Sequence, residues 1–199
     1  MPPETSSSSV ILIISGPAGS GKTTLCNQLL AEFSGRIRRI VTTTTRNPRP
    51  GEIEGVDYHF LSREAFQTGI NNGEFIEWAE VHGRFYGSRK THVLGLIKEG
   101  ADLLLNIDVQ GARAFRGDSS INEVLPGRIH TVFIKPQSLA QLQQRLEKRG
   151  SDKAEEIQRR LDTAAREIKV SEDFDQVIVS GSRQDDYRAL RALYLNLRN

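Results

Sequence analysis

The chain has 199 residues, of which 37% are hydrophobic and 26% are charged, and its formal net charge at pH 7 is +2. These values are typical of one soluble globular domain. The small net charge predicts no nucleic-acid partner, and the single cysteine, Cys26, excludes an internal disulfide and favours a reducing compartment. No stretch approaches transmembrane length, so we expect no membrane partner and a cytoplasmic protein.

The start of the chain divides into a tail and a strand–loop–helix unit. Residues 1–9 are rich in serine and proline and predict a flexible tail before a domain that spans residues 10–199. The β-branched apolar run Val10–Ser15 predicts a buried strand of a parallel sheet. Leucines at helical spacing then predict a helix from about Lys22 to Phe33, with Cys26 on its apolar face.

A phosphate-binding loop lies between this strand and this helix. The run Gly16-Pro17-Ala18-Gly19-Ser20-Gly21-Lys22-Thr23 matches G-x-x-x-x-G-K-[ST] in the context that the motif requires. Backbone N–H groups and the helix dipole attract phosphate, Lys22 supplies a positive charge, and the Thr23 hydroxyl is a ligand for Mg²⁺. We therefore expect Mg²⁺ with ATP, and an ATP site made of Gly16, Pro17, Ala18, Gly19, Ser20, Gly21, Lys22, Thr23 and Thr24.

Alternating strands and helices follow, which predicts an α/β fold with a central parallel sheet flanked by helices. The predicted strands after the first are Ile37–Val41, Asp102–Asp108, His130–Ile134 and Gln176–Val179, and the predicted helices are Lys90–Lys98, Ser138–Arg149, Ala154–Val170 and Asp185–Leu197. Residues 42–88 interrupt this alternation between core segments 10–41 and 89–199. This insert contains predicted strands at His59–Leu61, Glu74–Val81 and Arg84–Tyr86, a helix at Arg63–Ile70 and a turn at His82-Gly83.

The segment Thr42–Tyr58 opens the insert, and it is too polar for a core and too patterned for a linker. An insert beside a phosphate loop is a natural place to hold a second substrate. Two arginines in this segment, Arg46 and Arg49, carry guanidinium groups whose planar shape suits phosphate. The alternative from sequence alone is a solvated basic loop.

Six ordered motifs around the phosphate loop resemble the guanylate kinase family, from about Val10 to Leu197. They are Thr44–Glu52, Gly55–Tyr58, Glu74–Trp78, Tyr86–Ser88, Ile107–Gly111 and Arg145–Gly150. The resemblance implies a P-loop nucleoside monophosphate kinase fold and transfer of the γ-phosphate of ATP to GMP, and to dGMP, which yields ADP and GDP or dGDP. It also implies that Arg46, Arg49, Tyr58 and Tyr86 hold the acceptor phosphate.

A carboxylate suits guanine recognition, because the pairing edge of guanine presents two adjacent donors that one carboxylate can accept at once. The resemblance places Glu77 in this role, and Thr42 and Ser88 near the base. Glu77 lies between Ile76 and Trp78, so strand alternation predicts that it points away from their apolar face. Alternation alone is equally compatible with a solvent-facing Glu77.

Asp108 ends a predicted apolar strand at the carboxyl edge of the sheet, where ligands of α/β proteins bind. The resemblance implies that Asp108 reaches the guanine side of the site or, through water, the Mg²⁺ ion. The alternative role, which is compatible with both, is the N-cap of a following short helix. Family members commonly have an aspartate two residues earlier, where this chain has Asn106.

Three arginines lie near a glycine break, and the lid that we expect over residues 145–160 rests mainly on the family resemblance. Arg145 and Arg149 share a helix face, and Arg160 follows Gly150-Ser151-Asp152. We expect Arg145, Arg149 and Arg160 to act with Lys22 and Arg46 as catalytic charges on the transferring phosphoryl group, while the closed lid excludes water. The alternative is helix-surface charge, because Glu147, Glu155, Glu156 and Asp162 are interleaved with these arginines.

Two other functions compete with a GMP kinase. One is a catalytically silent module of the same family that binds protein partners, although Lys22 and Thr23 are intact. The other is a phosphate-loop kinase with a different acceptor, against which Glu77 with Thr42 and Asp108 argues. The sequence leaves a homo-oligomer open. Near the C-terminus, Ser180-Gly181-Ser182 replaces an asparagine that the family usually has near the adenine.

Overall fold

The computed structural model describes residues 9–81, 83–149 and 153–198, without the side chain of Arg149. The strands of this part of the chain are β1 (Ile11–Ser15), β2 (Ile37–Arg39), β3 (Thr43–Thr44), β4 (His59–Phe60), β5 (Phe75–Val81), β6 (Arg84–Arg89), β7 (Asp102–Asn106), β8 (Ile129–Pro136) and β9 (Gln176–Ser180). The helices are α1 (Lys22–Glu32), α2 (Arg63–Asn71), α3 (Lys90–Lys98), α4 (Val109–Gly117), α5 (Ser119–Val124), α6 (Leu139–Arg149), α7 (Ala154–Lys169) and α8 (Arg183–Arg198).

The central sheet has five parallel strands in the order β2-β7-β1-β8-β9. Its side chains alternate between two cores, because successive residues of a strand point to opposite faces. Ile11 and Ile13 pack on the face that α3 and α4 cover, whereas Leu12 and Ile14 pack on the face of α1 and α8. The predicted α/β class with helices on both faces of a parallel sheet is therefore confirmed.

A second, mixed sheet has the order β4-β3-β6-β5, in which β3 is parallel to β4 and antiparallel to β6. It has its own small core with α2, built from three phenylalanines. The ring of Phe66 stacks between those of Phe75 and Phe85, with centroid distances of 4.3 and 5.3 Å.

The expectation that the segment from Thr42 is too polar for a core is wrong for three consecutive threonines. Thr43, Thr44 and Thr45 are buried, and β3 was not predicted. Two hydroxyls find partners on the neighbouring strand: Thr44 Oγ1 donates to the Phe85 carbonyl at 2.9 Å, and Thr45 Oγ1 accepts from the Phe85 N–H at 2.9 Å. A buried hydroxyl is tolerated when it is hydrogen-bonded, which polarity along the sequence does not reveal.

The strand predicted at Asp102–Asp108 is too long, since β7 ends at Asn106. The chain turns there into α4, an element that was predicted only as an alternative role of Asp108. The Asp108 carboxylate caps α4 by accepting a 2.7 Å hydrogen bond from Gly111 N. The predicted flexible tail is wrong at its last residue, because Ser9 is buried where the chain enters β1. The rest of that tail, residues 1–8, the predicted turn residue His82 and the predicted break at residues 150–152 lie outside the described residues.

Candidate functional site

The loop after β1 closely approaches β8, which fixes its backbone path. Gly16 has φ of 132°, and a Cβ there would lie 2.5 Å from the Ile134 carbonyl oxygen. A Cβ at Gly19 would lie 3.0 Å from the Leu146 side chain of α6. Only glycine fits at position 16, so the motif keeps the loop pressed against the sheet at the N-terminus of α1.

Lys22 is held inside this loop. Its ammonium group donates hydrogen bonds to the carbonyls of Gly16 at 2.6 Å and Pro17 at 2.9 Å. Burial lowers the pKa of Lys22, and the nearby carboxylates of Glu167 and Asp108 partly offset this. The lysine therefore lies under the loop with acidic groups close by, where phosphate oxygens could replace the two carbonyls.

A pocket of about 300 Å³ adjoins the loop on the side of α6 and α8. It is lined by Gly19, Ser20, Gly21, Thr24, Leu25, Arg145, Ser180, Gly181, Arg183 and Asp186. Loop glycines and the first turn of α1 form one wall of this cavity. We call it the donor pocket, because this loop is predicted to bind ATP, the phosphate donor.

A second pocket, of about 310 Å³, lies between the two sheets. It is lined by Thr42, Tyr58, Glu77, Ala79, Val81, Tyr86, Asn106, Ile107 and Asp108, and we call it the acceptor pocket. Asn106 at the end of β7 also reaches the loop, with its Nδ2 3.4 Å from Thr23 Oγ1. Asn106 therefore lines the acceptor pocket and also contacts the phosphate-binding motif at Thr23.

Glu77 places a buried carboxylate in the acceptor pocket. The residue is 6% exposed, and its Oε1 accepts a 2.7 Å hydrogen bond from the hydroxyl of buried Ser88 on the adjacent strand. Burial raises the pKa of Glu77 to about 7, and the negative charge of Asp108 acts in the same direction, whereas the Ser88 hydrogen bonds lower it. A buried carboxyl group whose pKa is raised in this way is typical of a functional site.

The alternation on which the orientation of Glu77 was predicted does not hold along β5. Phe75, Ile76 and Glu77 are all buried, whereas Trp78 is 47% exposed. The register with β6 shifts between Phe75 and Glu77, so the regular period of two is broken at this point. The solvent-facing alternative for Glu77 is wrong, but strand alternation could not have excluded it.

Arg46 lies beside the acceptor pocket and is held by an acidic partner. Its guanidinium donates to Glu52 Oε1 at 2.8 Å and lies 5.3 Å from the centre of the Tyr58 ring. The Glu52 hydrogen bond raises the pKa of Arg46 above its usual range. Glu52 Oε2 also accepts from the backbone N–H of Arg49 at 2.7 Å. Glu52 therefore joins both arginines, although the Arg49 side chain itself is exposed.

Asp108 and Glu77 converge on the start of α4. A Cβ placed on Gly111 would lie 3.2 Å from Glu77 Oε2 and 3.4 Å from Asp108 Oδ1. Asp108 caps α4 with one carboxylate oxygen, and the same residue is exposed and lines the acceptor pocket. The two predicted roles of Asp108 are therefore compatible.

The predicted lid arginines occupy different environments. Arg145 lines the donor pocket, where its Nη1 lies 3.1 Å from Ser180 Oγ and 3.5 Å from the Ser20 carbonyl oxygen. Arg160 pairs with Glu156 one turn earlier on α7, at 3.2 Å, and both side chains are partly exposed. The side chain of Arg149 lies outside the described part of the chain. Helices α6 and α7 pack through Leu142, Leu146, Ile157, Leu161 and Ala164.

Sequence reasoning missed three acidic residues near the site. Glu52 was quoted within a motif without a role, and Asp186 lies on α8, remote from the loop along the chain. Glu167 on α7 is partly buried, and burial raises its pKa while the charge of Lys22 lowers it. The one sequence signal for Glu167 is its spacing of seven residues from Arg160, which places both on one helix face.

The described residues contain no group of three or more histidine, cysteine, aspartate or glutamate side chains arranged to hold a metal by themselves. Mg²⁺ does not require such a cage, because it commonly keeps several waters and is held by few protein oxygens together with substrate phosphates. The Thr23 hydroxyl and the Asp108 carboxylate are oxygen donors of that kind. Within the described chain, every helix is too short or too polar to span a bilayer.

The chain is similar to known proteins over nearly its whole length. A model of the guanylate kinase family matches residues 8–195. A guanylate kinase of Nitratidesulfovibrio vulgaris is 45% identical over 94% of this chain and 87% of its own length. One of Maricaulis maris is 44% identical over 92% of this chain and 80% of its own length.

A solved structure agrees with these sequence relatives. The crystal structure of guanylate kinase from Anaplasma phagocytophilum is 34% identical in sequence and superimposes with a TM-score of 0.71. The match covers 96% of this chain and 86% of that one.

Proposed function

The chain belongs to the guanylate kinase family, and on that premise we propose that the two pockets bind Mg-ATP and GMP for direct transfer of the γ-phosphate. The activity is that of an ATP:GMP phosphotransferase, which yields ADP and GDP. The observation that carries the assignment of GMP to the acceptor pocket is the buried carboxylate of Glu77, held by Ser88 beside the phosphate loop.

The donor phosphates bind to the backbone of the loop, residues 16–24, with Lys22 and the N-terminus of α1 as the positive groups. The donor base occupies the donor pocket. Lys22 exchanges its hydrogen bonds to the carbonyls of Gly16 and Pro17 for bonds to phosphate oxygens. This exchange needs no large movement, because the ammonium group already lies under the loop.

GMP occupies the acceptor pocket with its base against Glu77. The carboxylate accepts the two donors of the guanine pairing edge, while the Ser88 hydroxyl holds the carboxylate in place. Adenine presents a lone pair at that edge, so it would not offer the carboxylate the two adjacent donors that guanine brings and would be rejected. Thr42 and Asp108 complete the surroundings of the base. No residue is assigned to the ribose 2′-hydroxyl, so we expect dGMP to be accepted as well.

The acceptor phosphate lies against Arg46, Arg49, Tyr58 and Tyr86. A phosphate monoester has a second pKa near 6, so the acceptor oxygen is largely ionised at neutral pH and needs no general base. That oxygen forms a bond to the γ-phosphorus, and the bond to the β–γ bridging oxygen breaks. Catalysis then consists of alignment and neutralisation of charge by Lys22 and the arginines.

Mg²⁺ is the expected cofactor, with the Thr23 hydroxyl as its direct ligand and Asp108 acting through water. When bound, the ion neutralises charge on the donor phosphates. Asn106 is well placed to orient Thr23, since its Nδ2 lies 3.4 Å from the hydroxyl. Replacement of Thr23 by valine should raise the Mg²⁺ concentration needed for half-maximal rate about tenfold.

We assign acceptor binding to an insert over residues 42–88 and a lid to residues 145–160, within a domain that spans 10–199. In this assignment the second sheet carries the groups that hold GMP. Arg145, Arg149 and Arg160 approach the transferring phosphoryl group when the lid closes, which also excludes water that would otherwise hydrolyse ATP.

The experiment that tests this function is ADP formation from Mg-ATP with GMP, dGMP, AMP, CMP and UMP in parallel. We expect turnover with GMP and dGMP, and a loss of at least three orders of magnitude in Lys22→Ala, because the charge on the donor phosphates is removed. Lys98→Ala serves as the matched control, since Lys98 lies at the exposed end of α3.

Two results would contradict the proposal in different ways. A preference for AMP or UMP would refute the guanine role of Glu77 and leave the phosphate loop in place. Binding of GMP without turnover of any nucleotide would identify the chain as a binding module of this family.

A further inference from the structure

A buried hydrogen-bond relay connects α8 to the donor pocket. Asp186 Oδ2 accepts a 2.9 Å hydrogen bond from the Ser180 hydroxyl, and Ser180 Oγ lies 3.1 Å from Arg145 Nη1. Ser180 is 1% exposed and Asp186 is 7% exposed. Three elements that are distant along the chain, α6, the end of β9 and the first turn of α8, thus meet in one network.

The proton arrangement of this relay follows from the chemistry of its ends. A guanidinium group can only donate, and a carboxylate can only accept. The Ser180 hydroxyl must therefore give its single proton to Asp186 and offer a lone pair to Arg145. Asp186 is fixed in turn, because its Oδ1 accepts a 2.7 Å hydrogen bond from Gly181 N and it lies in the first turn of α8, where negative charge is favoured.

The far end of the relay touches the phosphate loop. Arg145 Nη1 lies 3.5 Å from the Ser20 carbonyl oxygen, and the helix that carries Arg145 packs against the loop through Leu142 and Leu146, close to Gly19. The guanidinium of Arg145 therefore lies at the wall of the donor pocket. The helix that carries it, α6, packs beside the loop.

We propose that Ser180 and Asp186 are positioning residues that hold the Arg145 guanidinium at the donor nucleotide. The inference rests on the proposed function, which places Arg145 at the phosphoryl group transferred from the donor, and it adds which residues hold the guanidinium on that side. The Ser180 hydroxyl gives its one proton to Asp186 and accepts from Arg145, so it has no proton left to donate to a base, and its role is to hold the arginine.

A double-mutant cycle tests this coupling with Ser180→Ala, Arg145→Ala and the double variant, in two measurements. One is kcat/KM for ATP at saturating GMP, and the other is the ATP affinity from calorimetry without GMP. We expect Ser180→Ala to lower kcat/KM for ATP about tenfold, as for a lost hydrogen bond to a charged group, with an unchanged KM for GMP. In the Arg145→Ala background the same change should alter either quantity less than twofold.

Ser182→Ala is the matched control. Ser182 lies in the same turn, and its hydroxyl caps α8 by accepting from Asp185 N at 3.1 Å. Its contact with the relay is through the backbone carbonyl, which accepts from Asp186 N at 3.0 Å and which the substitution keeps. We expect it to remain within twofold of the unmodified protein in both measurements. Asp186→Asn, which keeps the shape but removes the charge, should lower kcat/KM for ATP between threefold and tenfold, again only when Arg145 is present.

The proposal is overturned if Ser180→Ala is fully active, or if its loss is equally large with and without Arg145, since a purely structural role gives additive effects. Failure of the proposed function looks different: the unmodified protein would then not phosphorylate GMP. The calorimetric cycle would still report in that case whether Ser180 and Arg145 act together on ATP.

Discussion

Ser88 donates a 2.7 Å hydrogen bond to Oε1 of Glu77 across neighbouring antiparallel strands, and both residues are buried. The pair holds one carboxylate at a fixed place and orientation in the acceptor pocket. Ser88 satisfies only part of the hydrogen-bonding capacity of this carboxylate, which can accept several donors at once. A ligand that brings two adjacent donors complements the pair, and guanine is such a ligand.

Glu77→Gln tests the selectivity of this pair. The amide has one acceptor oxygen and presents donors towards the guanine donors, so we expect kcat/KM for GMP to fall about 10²- to 10³-fold. The ratio of GMP to AMP activity should fall with it, because adenine no longer faces a buried charge. Steady-state kinetics with both nucleotides measure this. Glu80→Gln is the control on the same strand, since Glu80 is exposed and pairs with Arg63 at 3.1 Å; an equal loss there would contradict the assignment.

The pH dependence of GMP use should report the same carboxyl group. Burial raises the pKa of Glu77 to about 7, so the group becomes protonated as the pH falls through that value. Because the charged form accepts the guanine donors, we expect kcat/KM for GMP to decrease below about pH 7, by up to tenfold per pH unit. Ser88→Ala removes the side-chain hydrogen bond that lowers the pKa of Glu77, so the acid limb should move to higher pH. A limb that stays in place would assign it to another group, such as the phosphate of GMP.

Glu52→Gln tests how Arg46 is held. Glu52 accepts from the Arg46 guanidinium and from the Arg49 backbone N–H, so its charge organises the loop that carries both arginines. We expect KM for GMP to rise about fivefold with little change in KM for ATP, because only the acceptor side loses order. Glu54→Gln in the same loop is the control, since Glu54 bonds His59 and the Phe60 N–H instead. A lower KM for GMP in Glu52→Gln would show that Glu52 competes with the acceptor phosphate.

Tyr194→Phe should reduce stability without reducing activity. The Tyr194 hydroxyl donates a 2.6 Å hydrogen bond to Asp102, which is 1% exposed and also accepts from Val10 N at 3.0 Å. Loss of this donor should lower the free energy of unfolding by about 1–3 kcal/mol, as measured by urea denaturation. Tyr187→Phe on the same helix is the matched control. Its hydroxyl bonds Glu32 at the surface, and we expect a change of less than about 0.5 kcal/mol there.

Much of the central fold is readable from local patterns. The run from Val10 to Ser15 and the leucines of α1 predict a buried strand and its helix, since burial on both faces of a parallel sheet requires continuous apolar residues. The prediction at β7 extended too far because a polar residue at a strand end and one at a helix N-cap look alike in sequence. Asp108 is a helix N-cap and not a strand end, as its hydrogen bond from Gly111 N shows.

The insert was less predictable because its core is held by contacts between distant residues. Thr43, Thr44 and Thr45 read as surface, yet partners some 40 residues away in β6 satisfy the hydroxyls of Thr44 and Thr45. The irregular register after Phe75 likewise buries Glu77 beside two apolar residues, which no regular period predicts. The roles assigned to the site residues stay predictions until the variants are measured.

By itself, the sequence determined the phosphate loop, the class of the fold and the family, since these depend on residue types at fixed short spacings that backbone geometry demands. The tertiary structure decided which charges are buried and which are paired. It brought Glu77 to Ser88, Arg46 to Glu52, and Arg145 to Ser180 and Asp186. These relationships depend on the packing of elements far apart in the chain, and burial then determines the strength of every charge in the site.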